Sequence, residues 1–213
     1  MASTPDMTSI VYVVDDDETL RRALSALLRS AGFHVETFAS SRAFLAFERP
    51  DVASCLILDV RLADESGLAV QEEAVRTGLN VPILFMTGYG DVATTVKAMK
   101  GGALDFLTKP FDDDAMLDAV GRALAGDRER LARDRALRTL RHAYASLTPR
   151  EREVMSHVVA GLMNKQIASH LGLQEITVKV HRAQVMKKMQ VRTLPDLVRQ
   201  AEALGVRPGA APE

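Results

Sequence analysis

Four short apolar runs in the first 110 residues each end on polar side chains, and stretches of helical periodicity separate them. The runs are Ile10-Val11-Tyr12-Val13-Val14 before Asp15-Asp16-Asp17, Cys55-Leu56-Ile57-Leu58 before Asp59, Val81-Pro82-Ile83-Leu84-Phe85-Met86 before Thr87, and Ala103-Leu104-Asp105-Phe106-Leu107 before Thr108-Lys109-Pro110. Apolar runs of this length read as strands buried on both faces, and their alternation with amphipathic segments reads as βα units that build a parallel sheet. Strands are expected near 10–14, 33–38, 54–59, 81–86 and 104–107, and helices near 18–30, 41–48, 67–77, 92–100 and 112–125. This makes residues 8–125 one α/β domain with a five-stranded parallel sheet. Gly32 is expected to cap the first helix, and Gly67 and Gly88 to let backbone approach a ligand at the carboxyl edge of the sheet.

The pattern then changes. Residues 126–146, GDRERLARDRALRTLRHAYAS, are charged throughout and lack proline, so they are expected to form a helical linker continuing the fifth helix. Leu117, Val120, Leu124 and Leu131 keep a seven-residue repeat, but Asp127 and Asp134 occupy the alternate seam positions. Leu137, Leu140, Tyr144 and Leu147 restart the repeat one residue out of step. A dimerising linker and a solvated single helix both fit that seam. From 147 to 206 the chain reads as an all-α unit. Thr148-Pro149-Arg150-Glu151 is a capping box with proline at the first helical position. Gly161 stops that helix, Asn164 is placed to cap a short one, Gly172 makes a turn, and Glu175 to about Gln190 forms a longer one. Short helix, glycine turn and longer helix are the pattern of a helix-turn-helix, closed by a last helix near 194–204. Residues 207–213 are expected to be a disordered tail.

Composition narrows the class. With 47% hydrophobic and 26% charged residues the chain is globular, and no apolar run approaches the roughly 20 residues of a membrane span. Met1 to Thr8 has neither the basic region nor the apolar core of a secretory signal, and a single cysteine, Cys55, excludes an internal disulfide; a cytoplasmic protein is expected. The net charge of −1 conceals two opposite halves: residues 1–125 carry 11 Lys+Arg against 19 Asp+Glu, and residues 126–213 carry 16 against 9. The first half suits a cation and the second a polyanion such as nucleic acid.

The candidate chemistry follows from the strand ends. In a parallel sheet the carboxyl ends of the strands share one edge, so Asp15, Asp16, Asp59, Thr87 and Lys109 are expected to converge there. Two carboxylates about 4 Å apart repel by roughly 4 kcal/mol at an effective dielectric of 20, so the cluster needs a counter-charge. Mg²⁺ suits hard oxygen ligands, and together with the Lys109 ammonium it would offset a phosphoryl group arriving at Asp59. An aspartyl phosphate is expected. Asp17 reads as a helix-start residue, and His34, His142, His157, His170 and His181 show no ligand spacing.

The motifs VVDDD, LILDVR, FMTGYGD and DFLTKPF, followed by LTPREREV, GLMNKQIA and ITVKVHRAQVMKKM, are too specific to be anonymous. From Ile10 to Leu204 the chain resembles a two-component response regulator of the FixJ/NarL class, a receiver domain plus a LuxR-type helix-turn-helix. The resemblance implies a flavodoxin-like, doubly wound receiver that is not an enzyme beyond slow self-dephosphorylation. It makes Asp59 the phosphoacceptor, Asp15, Asp16 and Asp59 with the backbone carbonyl of Arg61 the Mg²⁺ ligands, and Thr87 and Lys109 the phosphoryl contacts. It also makes Thr87 and Phe106 the switch pair and the Lys109-Pro110 bond cis. Leu62-Ala63 departs from the family's usual Met-Pro. On the longer helix the resemblance places Lys179, Val180 and Ala183 at base-contacting positions, Ala183 standing where some relatives carry a long basic side chain. The charge pattern adds Arg182, with His181, Lys165 and Lys188 as phosphate contacts. Implied partners are a histidine kinase, promoter DNA, RNA polymerase and, on phosphorylation, a second copy of the chain, with transcription activated and no membrane involved.

Two rivals compete with this reading. Asp15-x-Asp17 with a later Thr87 and Lys109 imitates a haloacid-dehalogenase-like phosphatase, though that leaves Asp59 and residues 147–204 without a role. A receiver acting only as an interaction module is the other.

Overall fold

A computed structural model describes residues 9–63, 65–88, 92–207 and 209. The expectations for Met1 to Thr8, for Tyr89, Gly90 and Asp91 of the FMTGYGD motif, and for most of the tail lie outside these residues. The chain divides between Leu131 and Ala132 into two compact units.

The first unit alternates β1 (Ser9–Val14), α1 (Glu18–Ser30), β2 (His34–Phe38), α2 (Ser41–Ala46), β3 (Ala53–Asp59), α3 (Gly67–Arg76), β4 (Ile83–Thr87), α4 (Val92–Lys100), β5 (Asp105–Thr108) and α5 (Asp113–Ala145), the last of which runs on into the second unit. All strand pairs are parallel, in the order β2-β1-β3-β4-β5. Strand order therefore reverses between β1 and β3, the crevice where doubly wound sheets bind ligands.

The two-residue period of the strands distributes side chains to two cores. Val11, Val13, Cys55, Ile57, Leu84 and Met86 face α1 and α5, where Leu24, Leu28, Met116, Val120 and Leu124 meet them. Ile10, Tyr12, Val14, Leu56, Leu58 and Phe85 face Phe44, Val70 and Ala98 of α2, α3 and α4. Every residue of β3 is buried, so its run is continuously apolar rather than alternating. Cys55 is fully buried, and burial pushes its thiol well above the ordinary range.

The second unit holds α6 (Pro149–Val159), α7 (Asn164–Leu171), α8 (Glu175–Lys188) and α9 (Leu194–Leu204) around Val154, Met155, Ile167, Val178, Val185 and Leu197. The capping box forms as expected: the Glu151 amide donates to Thr148 Oγ1 at 3.3 Å, and the Thr148 amide to Glu151 Oε2 at 2.7 Å. Gly172 ends α7 at φ 62°, a left-handed turn that costs a residue with a Cβ energy. Asn164 is not the cap of α7. Met163 holds that position, with its amide donating to Gln166 Oε1 at 2.8 Å, while the Asn164 side chain accepts from Arg182 Nη1 at 3.2 Å. In the tail, the Gly209 amide donates to the Ser156 carbonyl at 2.9 Å.

Candidate functional site

The expected convergence occurs at the carboxyl edge of the sheet. Asp15 follows β1 and is fully buried, Asp59 ends β3 at 9% exposure, Thr87 ends β4 at 1%, and Lys109 follows β5. Lys109 Nζ donates to Asp59 Oδ2 at 2.6 Å and to Asp15 Oδ2 at 2.9 Å, linking residues 50 and 94 positions apart. Backbone amides hold the other carboxylate oxygens: Asp17 N–H reaches Asp15 Oδ1 at 2.8 Å, and Arg61 N–H reaches Asp59 Oδ1 at 2.9 Å. The Lys109 amide in turn donates to the Thr87 carbonyl at 2.7 Å, which sets the stem of the lysine beside β4. Lys109-Pro110 is cis.

Asp15, Asp16 and Asp59 each offer an oxygen within 4.8 Å of the others, with Asp16 exposed to solvent. Burial raises the Asp15 pKa from its ordinary value, against the pull of the Lys109 and Asp17 hydrogen bonds. For Lys109, burial acts downward but the ion pairs to Asp59 and Asp15 outweigh it, so its pKa is raised and it stays charged. One ammonium cannot neutralise three carboxylates. The donor set, all hard oxygen and open to water on the Asp16 side, fits Mg²⁺.

Other expected residues fall into place differently. Asp17 caps α1, accepting from the amides of Thr19 and Leu20 at 2.8 and 3.2 Å, so it is a helix-start residue. Phe106 is half-buried, its ring centroid 6.4 Å from that of Phe85. Gly67 does not make room for a ligand. It opens α3 so close to β3 that a Cβ would lie 2.2 Å from the Asp59 carbonyl oxygen, and the glycine positions the phosphoacceptor candidate. Gly88 has no such neighbour.

One residue of the first unit was legible only as a flaw in the heptad seam. Asp127, 1% exposed on α5, accepts the Ser54 amide at 2.8 Å and pairs with Arg130 at 2.8 Å. A buried carboxylate holding the amino end of β3 ties the start of the stretch expected as a linker to the sheet.

On α8, Lys179, Val180 and Ala183 are exposed, His181 and Arg182 half-buried; Lys165 is exposed on α7. Lys188 lies against Glu151 Oε2 at 2.7 Å, where the carboxylate is 5% exposed, and also donates to the Ser146 carbonyl at 3.2 Å. Its charge serves the domain's own packing.

An acidic crevice with a lysine at the switch point of a doubly wound sheet, followed by a helix-turn-helix, defines a DNA-binding response regulator. The model of the response regulator receiver domain matches residues 11–121, and that of bacterial regulatory proteins of the luxR family matches residues 145–201. The chain belongs to the two-component response regulators that join a receiver to a LuxR-type DNA-binding domain. Nodulation protein W of Bradyrhizobium diazoefficiens is 52% identical over 198 residues, covering 93% of this chain and 87% of that one. Transcriptional regulatory protein FixJ of Rhizobium meliloti is 43% identical, covering 93% and 97%. The solved structure of response regulator StyR superimposes with a TM-score of 0.85 at 46% identity, covering 92% and 98%. The family consists of regulators rather than enzymes, its receivers generally hold Mg²⁺ in such an acidic pocket, and its architecture implies a histidine kinase and DNA as partners. Among the described residues no helix is long and apolar enough to cross a membrane.

Proposed function

We propose that the chain is a cytoplasmic transcription activator switched by phosphorylation of Asp59. A carboxylate oxygen of Asp59 attacks the phosphorus of a kinase phosphohistidine; the new O–P bond forms as the P–N bond breaks, and the imidazole leaves with the electron pair. The observation that carries this reading is Lys109 at 2.6 Å from Asp59, the one ammonium in contact with that carboxylate among the described residues. Its contact passes from the carboxylate to a phosphoryl oxygen as the group arrives, and the Thr87 hydroxyl donates to another. Asp15, Asp16 and Asp59, with the Arg61 carbonyl, would hold Mg²⁺, which when bound offsets charge on the phosphoryl oxygens.

Thr87 drawn toward the phosphate leaves space beside Phe85 into which Phe106 turns, and this repacks the face of α4 and β5. That face exposes Val92 (79%), Val96 (44%), Met99 (45%) and Leu104 (46%), apolar area that suits a second copy of the chain. A dimer sets two copies of α8 at half-sites about one DNA turn apart, Lys179, Val180 and Ala183 toward bases and Lys165, His181 and Arg182 toward phosphates, in position to recruit RNA polymerase. Moving such a switch from mostly off to mostly on takes about 5.5 kcal/mol, shared between phosphorylation and dimer contacts. Because Lys188 is paired with Glu151, it contributes little to DNA affinity.

Labelling with acetyl phosphate and Mg²⁺ tests this: Asp59→Asn abolishes an acid-stable, base-labile label, and Asp15→Asn slows it. Turnover that survives Asp59→Asn would instead support a phosphatase, a reading already weakened by Asp17 serving as a helix cap.

A further inference from the structure

No two histidines stand at ligand spacing along the chain, yet the second unit brings one pair together. His157 lies in the last turn of α6 and His170 in the last turn of α7. Their ring centroids are 5.5 Å apart and the ring planes are inclined at 62°. Two imidazoles sharing one tetrahedral ion, at about 2.0–2.1 Å per nitrogen, hold their centroids roughly 5 Å apart. His170 is exposed, so a small rotation of its side chain closes that gap. His157 Nδ1 is buried against Gly209 and has no hydrogen-bond partner among the described residues, which leaves Nε2 as the nitrogen this ring can offer. The surrounding charge favours a cation. Helix C-termini carry partial negative charge, and the pair stands at two of them. Glu153 lies one turn before His157 on the same face of α6, its exposed carboxylate paired with Arg150 at 2.8 Å. Burial and the neighbouring His170 hold the His157 pKa below its ordinary value, so the ring is neutral at about pH 7, the form that binds metal.

We propose that His157 and His170 bind a divalent transition metal of the Zn²⁺ class, with water completing the coordination and Glu153 supplying balancing charge. Imidazole nitrogen suits Zn²⁺, Ni²⁺ or Cu²⁺, whereas Mg²⁺ takes oxygen, so this site and the acidic crevice hold different ions. Bound there, the ion ties α6 to α7, the two helices that precede α8, and its binding free energy adds to the stability of the unit. The site requires neither phosphorylation of Asp59 nor DNA.

The test titrates the full-length protein with Zn²⁺ against a chromophoric chelator, in excess Mg²⁺ so that the acidic crevice is occupied. One Zn²⁺ should bind per chain at about pH 7.5, and thermal melting followed by circular dichroism should show the second unit stabilised. His170→Ala, at an exposed position, should weaken binding by at least about tenfold and cancel that stabilisation, while leaving the Zn²⁺-free melt unchanged. At about pH 5.5 protons should displace the ion from both rings. Asp59→Asn should bind Zn²⁺ as the parent protein does. A chain that takes no Zn²⁺ from the chelator overturns the proposal, as does binding that His170→Ala leaves intact. Binding lost in Asp59→Asn and kept in His170→Ala overturns it too, by assigning the ion to the crevice.

Discussion

Replacing Asp127 with alanine should destabilise the first unit by about 2–4 kcal/mol. The Asp127 carboxylate is 1% exposed and accepts the backbone amide of Ser54, itself 7% exposed, at 2.8 Å. Alanine leaves that amide unsatisfied at the start of the central strand, which costs about 1–3 kcal/mol. The ion pair between Asp127 and Arg130 is also lost, but the Arg130 side chain is 33% exposed, so water recovers most of that pair and about 1 kcal/mol is lost. Asp127→Asn keeps an oxygen acceptor for Ser54 and surrenders only the charge, so it should cost about 1 kcal/mol. Urea unfolding of the full chain followed by circular dichroism reads the difference: the receiver transition should move to lower urea in the order wild type, Asn, Ala, with unchanged slope. An alanine variant within 0.5 kcal/mol of wild type, or an asparagine variant as damaging as alanine, would refute the account of Asp127 as an acceptor for β3.

Gly67→Ala should cost more than about 2 kcal/mol and slow phosphorylation of Asp59, because a Cβ 2.2 Å from the Asp59 carbonyl forces α3 off β3; thermal melting together with labelling by acetyl phosphate checks both. Glu151 is buried, which acts to raise its pKa, but Lys188 and the Thr148 amide outweigh burial and hold it below the ordinary value of about 4.5. A depressed folded pKa stabilises the native state above the unfolded value and is lost as the pH falls through the folded one. The helix-turn-helix unit should therefore weaken below about pH 4.5, and Glu151→Gln should flatten that dependence in melts taken from pH 6 to pH 3. Cys55, fully buried with its thiol pKa raised by that burial, should react with a maleimide only at the rate of unfolding, measured by mass shift with and without urea.

How much was readable from residue order differs by element. The alternation of apolar runs and amphipathic segments placed all five strands and the helices to within a few residues, because each is specified by a local period. Edges slipped where local pattern has least authority: β4 begins at Ile83 rather than Val81, since Pro82 has no amide to give to the ladder. The motifs carried Asp15, Asp59, Thr87 and Lys109 to the same edge because parallel strands must end together. Gly67 was visible as a glycine but misread, since its neighbour, the Asp59 carbonyl, lies eight residues back along the chain and appears only when α3 packs on β3.

Periodicity, capping boxes and strand-end chemistry act within a few residues, so the order of amino acids was enough to reveal the parallel sheet, the acidic crevice and the helix-turn-helix. Long-range pairing made the remaining assignments. Asp127 belongs to β3 through Ser54, 73 residues away, Lys188 to Glu151 across 37, and Arg182 to Asn164 across 18. A buried charge takes whichever partner folding brings to it, and no local pattern carries that information.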